Sequence, residues 1–217
     1  MQMKSLRLNT ANAPALQAFY TDILGLLVMA TSAQEFTLQV GATEFTFVQT
    51  GEAPIYHFAF NIPENQFAEA KAWLAERVPL VQDSSGDSTY RFESWNALAV
   101  YFYDAAGNIV EFIARHALPT ASDTPFGSAS LLSVSEIGWV VADVHAAVAS
   151  LHNNLGLSVY ANSLSDEFAA VGDEHGLFIV VKQERPWFPD MQHILPAKPA
   201  PIQVTLIQEG EVIQWNT

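Results

Sequence analysis

The apolar run Ile109-Val110-Glu111-Phe112-Ile113 carries a carboxylate at its centre. Ionised and buried, such a group costs several kcal/mol unless a cation or hydrogen bonds answer it. A second ionisable group, His57, opens the apolar stretch His57-Phe58-Ala59-Phe60, and on a strand it shares a face with Ala59 and Asn61. Neutral, an imidazole can ligate a divalent metal; protonated, it can pair with Glu111 or receive an anionic ligand. Arg7 stands two residues from Ser5, on the same strand face, where it can anchor a carboxylate or phenolate or pair with surface acid. Tyr101 and Tyr103 also share a face, which is either a cavity wall or packed core. Glu136 reads as a strand-entry charge, with a cavity carboxylate as the sharper alternative. Arg91, Arg185 and Trp187 read as packing residues that could also line a ligand site or its lid. His145, His152 and His175 have no metal-like spacing and read as surface residues.

Composition narrows the chemistry. Of 217 residues, 9 are Lys or Arg and 23 are Asp or Glu, a formal charge of −14 that argues against nucleic acid and anionic membrane surfaces. The expected partner is a small molecule. There is no cysteine, so thiolate catalysis, Cys-type zinc sites and disulfides are excluded, and any metal must be held by His and carboxylates. Half the residues are hydrophobic, enough for a sizeable core. The N-terminus has no apolar signal core and no window approaches a membrane span, so the expected location is the cytoplasm. No nucleotide or flavin motif is present.

A module recurs along the chain. Leu6 and Leu8 alternate with Ser5, Arg7 and Asn9, a half-buried strand. Leu16, Phe19, Tyr20, Ile23 and Leu24 form a helical stripe that Gly25 is placed to end. Three strand-like runs follow, giving β-α-β-β-β. The order returns with the strand at 57–62, a helix with Phe67, Ala70 and Leu74 on one side, and three strands up to Ala114. A third copy begins with "SEIGWVVADV", and its "NLGLSVY" echoes "ILGLLV". Ser5 to Gly25 and Glu136 to Gly156 are both separations of 20 residues. The chain ends in a hairpin expected to turn at Glu209-Gly210, after the Pro-rich loop "QERPWFPDMQHILPAKPAP". The expected fold is therefore α+β, with paired βαβββ modules forming a curved mixed sheet around a cavity. The expected domains are 1–115 as the paired unit, 116–130 as a linker, and 131–217 as a third module with the hairpin.

The modules, with "LQAFYTDILGL", "HFAF" and "YFYDAAGNIVEF", resemble the vicinal oxygen chelate superfamily, which includes glyoxalase I, extradiol dioxygenases and bleomycin-binding proteins. The last stretch is similar to that family's Asp-Pro-x-Gly-Asn-x-x-Glu ending, with Ala105 in place of Pro. The resemblance implies a divalent metal (Fe, Mn, Ni or Zn) held by side chains from the first and last strands of paired modules. Carried over, these are His57 and Glu111, with Ser5 at the position of a further ligand and Phe45 at the first module's equivalent of Glu111. Glu136 is the third module's counterpart, while the last strand of that module has no acid in the matching place. Arg7, Tyr101 and Tyr103 are the candidate substrate contacts. Two activities remain open: a metal-dependent lyase, isomerase or dioxygenase acting on a small oxygenated molecule, or a metal-free protein that sequesters one. A third module without an intramolecular partner of the usual kind points to a homodimer, with completion by the long loop after Lys182 and the final hairpin as the alternative.

Overall fold

A computed structural model describes residues 1–189 and 196–217, so part of the Pro-rich loop, 190–195, lies outside the described residues. The first unit comprises β1 (Gln2–Thr10), α1 (Ala13–Ala18) with a π-helical turn over Phe19–Ile23, β2 (Leu27–Thr31), β3 (Glu35–Val40) and β4 (Thr43–Gln49). The second comprises β5 (His57–Ile62), α2 (Phe67–Ala75), β6 (Tyr90–Phe92), β7 (Ala97–Tyr103) and β8 (Ile109–Arg115). The third is shorter: β9 (Ser133–Val141), α3 (Val144–Leu155), β10 (Phe168–Asp173) and β11 (Gly176–Lys182). The strand expected after α3 is reduced there to a single bridge, Val159 to Val171. The hairpin is β12 (Ile202–Gln208) and β13 (Glu211–Asn216), and both residues of its turn, Glu209 and Gly210, have positive φ as a two-residue hairpin demands.

Local chemistry sets the helix ends. The Asn12 side chain accepts from the Ala15 N–H at 3.1 Å and Pro14 pre-sets the first turn of α1. Asp143 caps α3 in the same way, at 3.0 Å from the Ala146 N–H, and Gly156 closes it in the left-handed region. Among the described residues no helix is long and apolar enough to cross a membrane.

The strands form two mixed sheets, ordered β13-β12-β1-β4-β3-β2 and β10-β11-β9-β5-β8-β7-β6. This corrects the expected pairing of the first unit with the second inside 1–115. The second unit shares its sheet with the third, through antiparallel β5 and β9, whereas the first unit shares its sheet with the terminal hairpin, through antiparallel β1 and β12. Each unit presents its first strand as a free edge, and chain proximity does not choose which edges meet. The hairpin completes β1 from a distance of about two hundred residues, with Leu6 opposite Val204. That leaves the edge of β5 for β9. The third unit, expected to lack an intramolecular partner, is thereby joined to the second, and it is the first unit's edge that the hairpin covers.

One hydrophobic core joins the sheets on their helix-bearing sides. Phe45 of β4 lies edge-on to Phe58 of β5 with centroids 4.9 Å apart, Tyr20 stacks on Phe47 at 5.6 Å, and Trp73 of α2 stacks on Phe112. A polar network pins the β7–β8 turn beneath it. Asp104, buried, accepts from the Tyr20 hydroxyl at 2.8 Å, from the Asn108 amide at 2.8 Å, and from the backbone N–H groups of Ala106 and Asn108. The β3–β4 turn docks the first sheet onto the second. Thr43 donates its hydroxyl to the Met3 carbonyl at 2.7 Å and accepts from the Val134 N–H at 3.1 Å. Gly41 makes this approach possible: it has φ +52°, and a Cβ there would lie 2.0 Å from the Leu132 carbonyl oxygen. Gly41→Ala is expected to destabilise the protein by about 3 kcal/mol or more, read as a lowered urea midpoint, because both the backbone conformation and the sheet contact are lost.

Candidate metal centre

Strand β5 is buried on both faces. Phe58, Phe60 and Ile62 enter the inter-sheet core, so His57, Ala59 and Asn61 face the other side. Across β5, Ala59 is level with Glu111 of parallel β8 and with Glu136 of antiparallel β9. Two carboxylates thus flank one methyl group, and His57 stands one pleat along. A register shift opposite Ala59 and Phe60 puts Ser135 in a bulge of β9; this local kink gives Glu136 and Ser133 their places beside Ala59 and Asn61.

The His57 Nδ1 lies 3.1 Å from the Ile109 carbonyl oxygen, and since a carbonyl only accepts, Nδ1 carries the donated proton. The Nε2 atom is left facing the acids, 3.6 Å from Glu111 Oε2 and 3.7 Å from Glu136 Oε2. One ligand atom from each of the three residues lies within 4.8 Å of the others. His57 is 6% exposed and both glutamates 2%, so water screens little of this charge. At an effective dielectric of 20, two carboxylates at that separation repel by about 3 kcal/mol, beyond their desolvation.

Arg115 supplies part of the answer. Its Nη2 donates to Glu136 Oε1, its Nε donates to Asn61 Oδ1 at 3.2 Å, and its side chain is fully buried. Glu111 has no such partner, and its Oε1 has no hydrogen bond among the described residues. Burial and the Glu136 charge push the Glu111 carboxyl well above the usual carboxylate range, against smaller opposing effects of the Tyr101 hydroxyl and Arg115. Burial and the same two carboxylates raise the Tyr101 phenol well above its ordinary value. With both glutamates ionised and Arg115 charged, the cluster carries one net negative charge, which a proton or a cation must neutralise.

A cavity of about 360 Å³ opens above the cluster. Its walls are aromatic: Phe92, Trp95, Tyr101, Phe168, Trp187 and Phe188. Trp187 rests against Gly138 of β9, where a Cβ would come within 2.5 Å of the indole, and its ring centre is 5.8 Å from that of His57.

The structure brings His57, Glu111, Glu136 and Tyr101 together at this cavity, and Arg185 and Trp187 also line it. Tyr103 is on the same face as Tyr101 but packs in the apolar cluster beside the cavity instead of lining it. Ser5 and Arg7 lie in the other sheet, a correction that follows from the sheet pairing. Ser5 donates to Thr205 at 2.8 Å and Arg7 pairs with Glu35 at 2.7 Å, both bordering a separate polar cleft beside the hairpin. The first unit's counterpart of Glu111 is also displaced by one residue. With Ser5 equivalent to His57, the register places Thr46 opposite Arg7, while Phe45 is in the core. Arg91 is an exposed residue beside Glu93; His145 is exposed and paired with Asp166, and His152 and His175 lie away from the cluster. Sequence reasoning missed Arg115 and Asn61. The signal was available: Arg115 is two pleats from Glu111 on one strand face, and Asn61 likewise from His57.

No protein-family model matches the sequence, and no curated protein matches it. Solved structures match it in fold. A "putative dioxygenase" from Bacillus subtilis subsp. subtilis str. 168 superposes with a TM-score of 0.61 at 15% identity, over 83% of this chain and 63% of that one. Glyoxalase I from Zea mays superposes with a TM-score of 0.51 at 14% identity, over 83% of this chain and 66% of that one. The chain spans less than two thirds of the length of each. It shares its fold with these structures, here built of repeated βαβββ-type units, and the site lies where two such units meet.

The raised Glu111 carboxyl sets a pH dependence in metal-free protein. A carboxyl whose folded pKa is raised contributes stability that is full below its unfolded pKa, about 4.3, and is lost as pH climbs through the folded value. Glu111→Gln removes that loss. In EDTA, its urea midpoint relative to wild type is expected to improve as pH rises above about 4.3.

Proposed function

We propose that the protein is a divalent-metal-dependent enzyme, a lyase, isomerase or dioxygenase acting on a small oxygenated molecule, with His57, Glu111 and Glu136 as the metal-holding residues. The observation that supports this reading is the buried set itself: one imidazole with its free nitrogen turned inward, two carboxylates abreast, and an unanswered negative charge. These donors fit Mn, Fe, Ni or Zn. A divalent cation there would supply Lewis-acid stabilisation of charge developing on substrate oxygens.

The chain's own groups have definite tasks. The two sheet-sharing units place equivalent positions around the site: His57 corresponds to Glu136, and Glu111 to Ile179, which is level with Gly138 as Glu111 is with Ala59. Three positions thus carry donors and the fourth is apolar, which leaves room for substrate. Ile109 holds the tautomer of His57. Tyr101 turns its hydroxyl to Glu111, so it holds that carboxylate from the cavity wall. The aromatic walls exclude water and bind an apolar body.

Those same walls favour a second reading, a protein that sequesters a small aromatic compound without metal, with a proton balancing Glu111. Elemental analysis of untagged protein separates the two. The enzyme reading expects near-stoichiometric metal in wild type and a large loss in His57→Ala. Metal-free protein that takes up none of Mn, Fe, Ni or Zn overturns it. Ile179→Glu is further expected to tighten metal binding while lowering the stability of the metal-free protein, since it buries a third carboxylate. Calorimetric titration and thermal unfolding in EDTA read these two effects.

A further inference from the structure

Arg115 is a costly residue to bury, and its partners show where its charge is spent. Its guanidinium reaches Glu136 Oε1 with one nitrogen and Asn61 Oδ1, at 3.2 Å, with another. Asn61 is itself held, donating to the Glu174 carbonyl oxygen at 3.0 Å in the β10–β11 turn. The indole of Trp95, a wall of the cavity, lies 5.4 Å from the guanidinium carbon. Arg115 therefore ties β8 to β5, β9 and the β10–β11 turn beneath the site, without lining the cavity itself.

This connection divides the two oxygens of Glu136. Oε1 is taken by Arg115, while Oε2 is the atom that faces His57. A free carboxylate can turn both oxygens toward a cation; one held by a guanidinium offers the other oxygen alone. Resting on the metal reading above, we infer that Arg115 is a positioning residue, which makes Glu136 a one-oxygen ligand and so keeps a coordination position open for substrate. Lysine cannot take its place, because an ammonium keeps the charge but lacks the planar fork that holds Asn61 and Glu136 together.

The test uses full-length protein titrated with Mn(II), followed by calorimetry and by the electron paramagnetic resonance line shape of the bound ion. Arg115→Met is expected to weaken Mn(II) binding about 10- to 100-fold, the usual cost of losing a residue that orients a ligand. Arg115→Lys is expected to keep more of the affinity but to change the line shape, as Glu136 turns. Added methylguanidinium is expected to restore both in Arg115→Met. If Arg115→Met does not fold, Asn61→Ala, which frees the guanidinium on one side, is expected to weaken binding several-fold with the same change of line shape. Wild-type affinity and line shape in the folded variants overturn the inference and leave the metal reading standing. A wild-type protein that binds no Mn(II), Fe(II), Ni(II) or Zn(II) overturns both.

Discussion

Two glutamates stand level across three adjacent strands, buried, with an alanine between them, and this crowding of like charge governs the rest of the site. Each carboxylate alone could be tolerated with one good partner. Together they need two positive charges, and the described residues around them supply one in Arg115. Burial first, and the crowded negative charge second, raise both the Glu111 carboxyl and the Tyr101 phenol. A core that merely needed filling would hold apolar side chains here, which cost nothing to bury. The position of the imidazole, with its proton-bearing nitrogen turned to the backbone and the other turned to the acids, points the same way.

The fold makes such crowding possible because β5, at the centre of its sheet, is covered on both faces. Its even residues fill the aromatic core shared with the first sheet. Its odd residues form the floor of the cavity. A bulge in β9 brings Glu136 into line, and the small side chains Ala59 and Gly138 keep the floor low. Trp187 then lies directly on Gly138, so the segment after β11 closes one wall of the cavity. The hairpin β12–β13 acts at a distance: by occupying the edge of β1 it completes the first sheet, and the two sheets then dock through Thr43 and the phenylalanines of β4 and β5.

The two units that share the second sheet are unequal in chemistry. Glu136 repeats the place of His57, and Ile179 repeats that of Glu111. In the first sheet the same places hold Ser5 and Thr46, each occupied in a hydroxyl–hydroxyl bond. The ionisable set therefore belongs to the junction of β5 with β9, and at the junction of β1 with β12 the matching places hold hydroxyls.

Much of this was legible in the residues. Helical stripes, strand alternation and the 20-residue spacing from first-strand position to glycine defined the repeated unit, because side-chain periodicity is dictated by local backbone geometry. The anomaly of Glu111 within an apolar strand followed from the cost of burying charge, while His57 as its partner came with the family resemblance. What local chemistry could not decide was which unit meets which. A free strand edge offers the same backbone hydrogen bonds to any partner, and the choice between β9 and β1 for the edge of β5 rests on packing distributed over the whole core. That choice moved Ser5 and Arg7 to a different sheet, brought Glu136 beside Glu111, and made Arg115 and Asn61 part of the site. The sequence by itself determined the module and its ionisable residues; only the tertiary structure decided which of those charges had to share one buried space.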